Sequence, residues 1–277
     1  MRIRFWGVRG SIASPGPETA GVGGNTSCVE VSCENERFIL DAGTGLRGLG
    51  DAMLAQSNDR APAMEATLLL SHVHWDHIQG LPFFGPAYSP DMKLRIVGGK
   101  NGKLGLRETL ARQMTDPVFP VRHDELRASI SIEEVQAGDA FRVGDATVRA
   151  ARGNHPNGVL AYRIECGGRS VVYATDTEHF AGTDPQLLDL ARGADVLIYD
   201  SQYTENEYRT SRMGWGHSTY VAGSELAKAA GVAQYILFHH DPRRSDEQVL
   251  ELEARACELF EGSRAAREGM EIALDRA

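Results

Sequence analysis

The sequence predicts an α/β protein of two packed sheets with helices outside them. Three observations carry that expectation. Apolar, strand-like runs come first and helical patterns later within each half of the 277 residues. No linker-like or low-complexity stretch separates the halves, so one domain spanning residues 1–277 is expected rather than two units. Strict strand–helix alternation and a glycine fingerprint, which a dinucleotide-binding fold needs, are both missing.

Met1 to Val8 alternates and reads as a strand, followed by a Gly- and Pro-containing loop from Arg9 to Asn25. Ser27–Ser32 and Phe38–Asp41 read as strands joined by a turn at Glu34-Asn35-Glu36. Ala66–Leu70 is wholly apolar and should be buried on both faces, and Leu94–Val97 is a similar short strand. Leu104–Met114 has helical character, which Asp116-Pro117 and Phe119-Pro120 end. In the second half, Phe141–Ala150 bends at Gly144-Asp145. Leu160–Ile164 and Ser170–Ala174 flank a Gly167-Gly168 hairpin turn. Val196–Tyr199 and Tyr235–Phe238 are buried strands. A helix carrying Ala222, Leu226, Ala229 and Ala230 lies between them, capped by Ser218 or Thr219. Ser245-x-x-Gln248 is a capping box opening a last helix with Val249, Leu252, Ala256 and Leu259 on its apolar face.

The net charge of −9 lacks the basic surplus of a nucleic-acid binder. A local positive site inside an acidic protein suits a small anion better than a long polyanion. None of the four cysteines forms a C-x-x-C pair, so a zinc ribbon or thioredoxin-type site is not expected. Cys28 and Cys33 read as strand residues rather than as a disulfide, and Cys257 as a core residue of the last helix. The N-terminus lacks the apolar run of a signal peptide, and no stretch approaches the ~18 apolar residues of a membrane span. A cytoplasmic protein with no membrane contact is expected.

The most informative segment is Ser71-His72-Val73-His74-Trp75-Asp76-His77, directly after Leu68-Leu69-Leu70. An apolar strand ending in His-x-His-x-Asp-His can aim four side chains into one cavity. Neutral imidazole suits zinc, and the added carboxylate suits a second, harder position. A metal pair generates hydroxide at neutral pH and so points to a hydrolase. Four further candidates fall at strand ends or a helix start: His155, Asp176, His239 and His217. His240 competes with His239, which is preferred because it directly follows the apolar strand. His123 and His179 lack such a setting and read as ordinary surface residues.

The series His72-x-His74-x-Asp76-His77, His155, Asp176 and His239 resembles the ligand series of the metallo-β-lactamase superfamily. The resemblance implies an αββα four-layer sandwich with two divalent metals, zinc foremost, with manganese or iron also accepted. It implies that His72, His74 and His155 hold one metal, that Asp76, His77 and His239 hold the other, and that Asp176 bridges them. Gly216-His217-Ser218-Thr219 resembles the ribonuclease Z and cyclic-phosphodiesterase branch. There His217 would protonate the leaving oxygen or bind a phosphoryl oxygen, Asp200 would orient His217, and Asp76 would relay the nucleophile's proton.

Ribonuclease Z of bacteria carries a long tRNA-binding arm between the third ligand and the bridging aspartate. Only a tight hairpin fits between His155 and Asp176 here. The expected activity is therefore hydrolysis of a small phosphodiester, such as a cyclic nucleotide or cyclic sugar phosphate, with tRNA processing demoted and no large nucleic acid as partner. Thioester or lactone hydrolysis on the same metals is the alternative, followed by a metal-containing binding protein. The opening Phe5-Trp6-Gly7-Val8-Arg9-Gly10-Ser11 and Gly23-Gly24-Asn25-Thr26-Ser27-Cys28 resemble bacterial phosphodiesterase-like proteins of the superfamily. Arg9 and Asn25 either approach the phosphate or form turns. Residues 83–122 are expected as a lid or insertion, with Phe83, Phe84, Tyr88 and Phe119 packing on the sheet or stacking on a base. The sequence leaves the oligomeric state open, a homodimer being the commonest assembly in general.

Overall fold

The computed structural model describes residues 1–56, 64–100 and 103–275. The first half runs β1 (Arg2–Gly7), β2 (Cys28–Cys33), β3 (Glu36–Leu40), α1 (Gly45–Gln56), β4 (Met64–Leu70), α2 (Trp75–Ile78), β5 (Met92–Gly99), α3 (Leu106–Arg112) and β6 (Ser129–Val135). The second runs β7 (Ala140–Val143), β8 (Ala146–Gly153), β9 (Val159–Cys166), β10 (Arg169–Ala174), α4 (Pro185–Ala191), β11 (Val196–Asp200), α5 (Glu205–Glu207), α6 (Tyr220–Ala230), β12 (Gln234–Phe238), α7 (Asp246–Leu259), β13 (Ser263–Ala265) and β14 (Glu271–Ala273).

These strands form two seven-stranded sheets, ordered β14-β1-β2-β3-β4-β5-β6 and β13-β12-β11-β10-β9-β8-β7. Strand periodicity explains how they stack. Phe38 and Leu40 of β3 and Leu69 of β4 join Tyr162, Ile164, Val171 and Tyr173 in the core between the sheets. The alternate residues Ile39, Leu68 and Leu70 face the other way, onto Leu46, Leu49 and Met53 of α1. Both faces of β4 are thus buried, as its continuous apolar run requires. Helices α4, α6 and α7 cover the far face of the second sheet. The result is the αββα sandwich. Phe141–Ala150 is a hairpin, β7–β8, turning at Gly144-Asp145.

Some of these expectations hold and others are corrected. Cys28 is a buried thiol, but Cys33 is bonded to Cys166, 133 residues away, tying the end of β2 to the end of β9 across the two sheets. Cys257 is exposed, one residue past the buried Ala256. Within 83–122, residues 92–99 are β5, paired in parallel with β4 and β6, while residues 101 and 102 lie outside the described part. Phe84 is buried, the Tyr88 hydroxyl donates to the Pro82 carbonyl, and Phe83 meets Phe119 edge-on at 5.5 Å. Among the described residues no helix is long and apolar enough to cross a membrane.

Topology then positions the chemistry. Strands β10, β11 and β12 are mutually parallel. Their C-terminal ends therefore share one edge of the sandwich, and that edge presents Asp176, Asp200 and His239. Strand β8 points the same way, being antiparallel to β9, which is antiparallel to β10, and it delivers His155. Strand β4 delivers the 71–77 segment from the opposite sheet.

Candidate metal centre

At this edge the structure brings together His72, His74, Asp76, His77, His155, Asp176 and His239. Nε2 of His155 is 3.0 Å from Nδ1 of His74, and His72, His74 and His155 form one group able to hold a cation. Asp76, His77, Asp176 and His239 form a second. In it, Oδ2 of Asp76 lies 3.2 Å from Nε2 of both His77 and His239. Asp176 stands between the groups, one oxygen toward each. Its Oδ2 is 3.8 Å from His72 Nε2 and 3.7 Å from His155 Nε2, whereas Oδ1 is 3.2 Å from Nε2 of His77 and of His239. Four donors around a zinc at ~2.0–2.1 Å sit roughly 3.4 Å apart, which these separations match.

Hydrogen bonding selects the ring nitrogen left for a cation. His77 Nδ1 donates to Asp41 Oδ2 at 2.7 Å, His155 Nδ1 to the Gly216 carbonyl at 2.8 Å, and His239 Nδ1 to Gln202 Oε1 at 3.1 Å. Ser71 Oγ spends its proton on Asp41 at 2.7 Å and so accepts from His72 Nδ1 at 3.0 Å. Each of these four rings thus engages an acceptor through Nδ1 and turns its Nε2 inward, toward the other donors. His72 Nε2 and His77 Nε2 are buried and make no hydrogen bond. Such orphaned nitrogens are costly unless an ion takes them up, and by this test the residues fit a divalent metal.

Electrostatics agree. Burial pushes the His72 imidazole well below its ordinary value, reinforced by His77, which keeps it in the ligand form. Burial pushes the carboxyls of Asp76 and Asp176 up, but the neighbouring His77 and His239 outweigh it and hold both below the usual range. In His77 burial opposes the charge, yet Asp76, Asp176 and Asp41 raise it well above normal. The Asp76 and Asp176 carboxylates facing Nε2 supply the negative charge that a cation there needs.

The backbone is bent to aim these groups. Asp41, Asp176 and His239, each just past a parallel strand, have φ of 60°, 50° and 62°. Left-handed residues other than glycine cost roughly 1–2 kcal/mol each, and such strain gathers at functional sites. Gly10 lets the first loop reach the centre, since a Cβ there would lie 2.5 Å from the His239 ring. The next residue, Ser11, donates its backbone N–H to Asp76 Oδ2 at 2.8 Å.

His217 and Asp200 adjoin the groups. His217 Nδ1 is 2.8 Å from Asp200 Oδ2 and 3.8 Å from Asp176 Oδ2, and its ring stacks on His239 at 5.0 Å. Burial pushes the His217 imidazole down, but Asp200 dominates the balance and raises it to about 9.

Other expectations fall away. His240 turns from the centre, with Nε2 donating to the Ala266 carbonyl at 3.0 Å, and burial lowers it to about 3. Arg9 is fully buried, donating to the carbonyls of Gly23, Asp241 and Arg244, and Asn25 is bonded to Glu268. Both hold loops together and neither is positioned for a phosphate. His179 is half-buried rather than a plain surface residue, and its Nδ1 lies 2.9 Å from Ser218 Oγ. His123 is also half-buried, in the short turn His123–Glu125. The sequence reading missed Asp41, Ser71, Gln202 and Ser11. A lone polar residue at a strand end carries no spacing signal, although Asp41 directly after an apolar strand was a hint.

Fold and site together define a metal-dependent hydrolase of metallo-β-lactamase type. The family described as Beta-lactamase superfamily domain matches residues 36–240, and the chain belongs to it. It is 26% identical over 253 residues to the Ribonuclease Z of Bacillus subtilis, covering 76% of this chain and 81% of that one. The crystal structure of the metallo-beta-lactamase fold protein YhfI from Bacillus subtilis superposes with a TM-score of 0.71 at 19% identity, over 98% of each chain. That of a diphosphatase from the PhnP family reaches 0.73 at 15% identity, over 99% of this chain and 98% of that one.

Proposed function

We propose that this hydrolase is a dimetal phosphodiesterase acting on a small phosphodiester such as a cyclic nucleotide. One observation carries the reading. Asp176 offers one oxygen to each cation-holding group, and the His217–Asp200 pair stands against the same carboxylate. In this reading His72, His74 and His155 hold one divalent ion, Asp76, His77 and His239 the other, and Asp176 bridges. Zinc suits the imidazole-rich set best, with manganese or iron acceptable. When bound, the pair supplies an activated water and withdraws charge from a phosphoryl oxygen.

The chain's own groups do the rest. His217, held by Asp200 through Nδ1, presents Nε2 and a proton to the departing ester oxygen. Ser11 N–H fixes Asp76 where it can take the proton of an attacking water. The described residues act as one domain, and residues 83–91 and 103–122 act as a lid, with the exposed Phe83 at its edge.

The acidic balance of −9 and the β9–β10 hairpin, which leaves no room for an RNA-binding arm between His155 and Asp176, support a small substrate. A second reading, cleavage of an RNA phosphodiester, draws support from the relatives named Ribonuclease Z. Metal-loaded protein should hydrolyse bis(p-nitrophenyl) phosphate and a cyclic nucleotide, lose both activities to a chelator, and leave a tRNA precursor intact. Cleavage of the precursor alone moves the assignment to RNA. Turnover of thioesters or lactones alone removes the phosphodiester reading.

A further inference from the structure

Glu178 is 2% exposed and is used by nothing in the mechanism above. It lies two residues beyond Asp176, on the same loop. Its Oε1 accepts from the Tyr208 hydroxyl at 2.8 Å and from Gly214 N–H at 2.7 Å, and its Oε2 from Gly216 N–H at 2.9 Å. Its own backbone N–H donates to the Asn154 carbonyl at 2.8 Å, and Asn154 N–H donates to Thr177 Oγ1 at 3.1 Å. One residue therefore joins three loops: that of His155, that of Asp176, and the Gly214-Trp215-Gly216 segment leading into His217.

Apart from Glu178, the third loop is held by two short-range backbone bonds, Met213 N–H to the Tyr208 carbonyl and Trp215 N–H to the Arg212 carbonyl, both at 3.1 Å. Met213 and Trp215 are 61% and 57% exposed, so no apolar side chain anchors it. Arg212, at the end of a π-helical turn over Tyr208–Arg212, lies on the Trp215 ring 4.5 Å from its centroid, at the surface. Gly214 and Gly216 have φ of 83° and 85°, which turns both N–H groups onto the Glu178 carboxylate. Gly216 matters twice, because its carbonyl holds His155 Nδ1 and the next residue is His217.

We infer that Glu178 is a positioning residue that sets His217 and His155 together by clamping the Gly214–Gly216 loop. It touches neither substrate nor a cation-holding group. It fixes where the proton donor stands and which way one ligand ring faces. The kinetic part of this inference rests on the phosphodiester reading, whereas the structural and metal-binding parts do not.

The test is Glu178→Gln, which keeps the shape but sets an amide NH₂ against N–H donors that need an acceptor. In the metal-free protein, amide exchange at Gly214 and Gly216 should accelerate at least tenfold with the circular dichroism unchanged. Zinc titration should show one of two sites weakened about 10–100-fold, as loss of a group that orients a ligand does. Turnover of cyclic AMP, whose leaving alkoxide needs a proton, should fall at least tenfold more than turnover of bis(p-nitrophenyl) phosphate, whose p-nitrophenolate does not.

Equal losses on both substrates with wild-type exchange and zinc affinity overturn the inference. A wild-type protein inactive on both substrates removes the phosphodiester reading instead, and exchange and titration then decide for Glu178. Should Glu178→Gln fail to fold, Glu178→Asp takes the same measurements. Intermediate losses of the same kind support the clamp, and wild-type values contradict it.

Discussion

Asp41 Oδ2 lies 2.7 Å from His77 Nδ1, fully buried at the edge where the site forms, although the two residues share no sequence motif. The same carboxylate accepts from Ser71 N–H and Oγ and from the Tyr173 hydroxyl, so it fixes His77 directly and His72 through Ser71. Asp41→Asn replaces an acceptor with a donor facing donors. Zinc affinity should fall by roughly 10–100-fold, and stability by about 1–3 kcal/mol. Calorimetric titration and urea unfolding measure the two effects. Wild-type affinity in the folded variant would mean that the His77 ring is held by packing alone.

The Asp200–His217 pair predicts a pH signature in the metal-free protein. Its folded value of about 9 lies above the ordinary histidine value of ~6.5 in the unfolded chain. The pair's stabilisation is therefore complete below pH ~6.5, fades as pH rises toward 9, and is absent above it. Asp200→Asn should cost on the order of 3 kcal/mol at pH 6 and little at pH 10 through this linkage. Urea midpoints at the two pH values, with the His217 imidazole followed by NMR, check it. A pH-independent loss contradicts the assignment.

His217→Ala should lower kcat on cyclic nucleotides by about 10²–10⁴-fold, the usual value of a positioned acid. Zinc content should stay at the wild-type level, because in the proposed assignment His217 holds no cation. Steady-state kinetics with metal analysis on the same preparation measure both. Loss of metal in this variant would move His217 among the ligands, since its ring nitrogen lies within 4.8 Å of donor atoms of Asp176, Asp200 and His239.

The Cys33–Cys166 bond closes a very long loop and staples the two sheets at the ends of β2 and β9. Reduction, or Cys33→Ser, should lower stability by about 2–4 kcal/mol and leave the catalytic edge intact. Denaturant unfolding with and without a thiol reductant gives the number. An unchanged midpoint means the bond contributes nothing.

The sandwich was legible where a strand is apolar on both faces, as in Ala66–Leu70, or capped at its following helix, as at Ser245-x-x-Gln248. Helix α1 escaped because Gly45, Gly48 and Gly50 lower its helix propensity. Two of these are needed for packing, Gly45 against the Trp6 carbonyl and Gly50 against Phe84. Strand β6 escaped because it is a half-exposed edge with alternating polar residues. At the site, residues in a dense spacing pattern or at apolar strand ends could be read from sequence. Gln202 and Glu178 could not, because what marks each is a partner brought in by tertiary structure, and Asp41, although it follows an apolar strand, is marked as functional only by the His77 that the fold brings to it. The Cys33–Cys166 pairing escaped for the same reason, being set by the stacking of two sheets rather than by any local spacing.

The central claim is that two cations share the Asp176 carboxylate. Native mass spectrometry of the zinc-loaded chain, beside folded Asp176→Ala, tests it most directly. Two zinc ions per chain in the wild type and one or none in the variant are the predicted result. A variant that retains both ions, or a wild type that saturates with one, would contradict it.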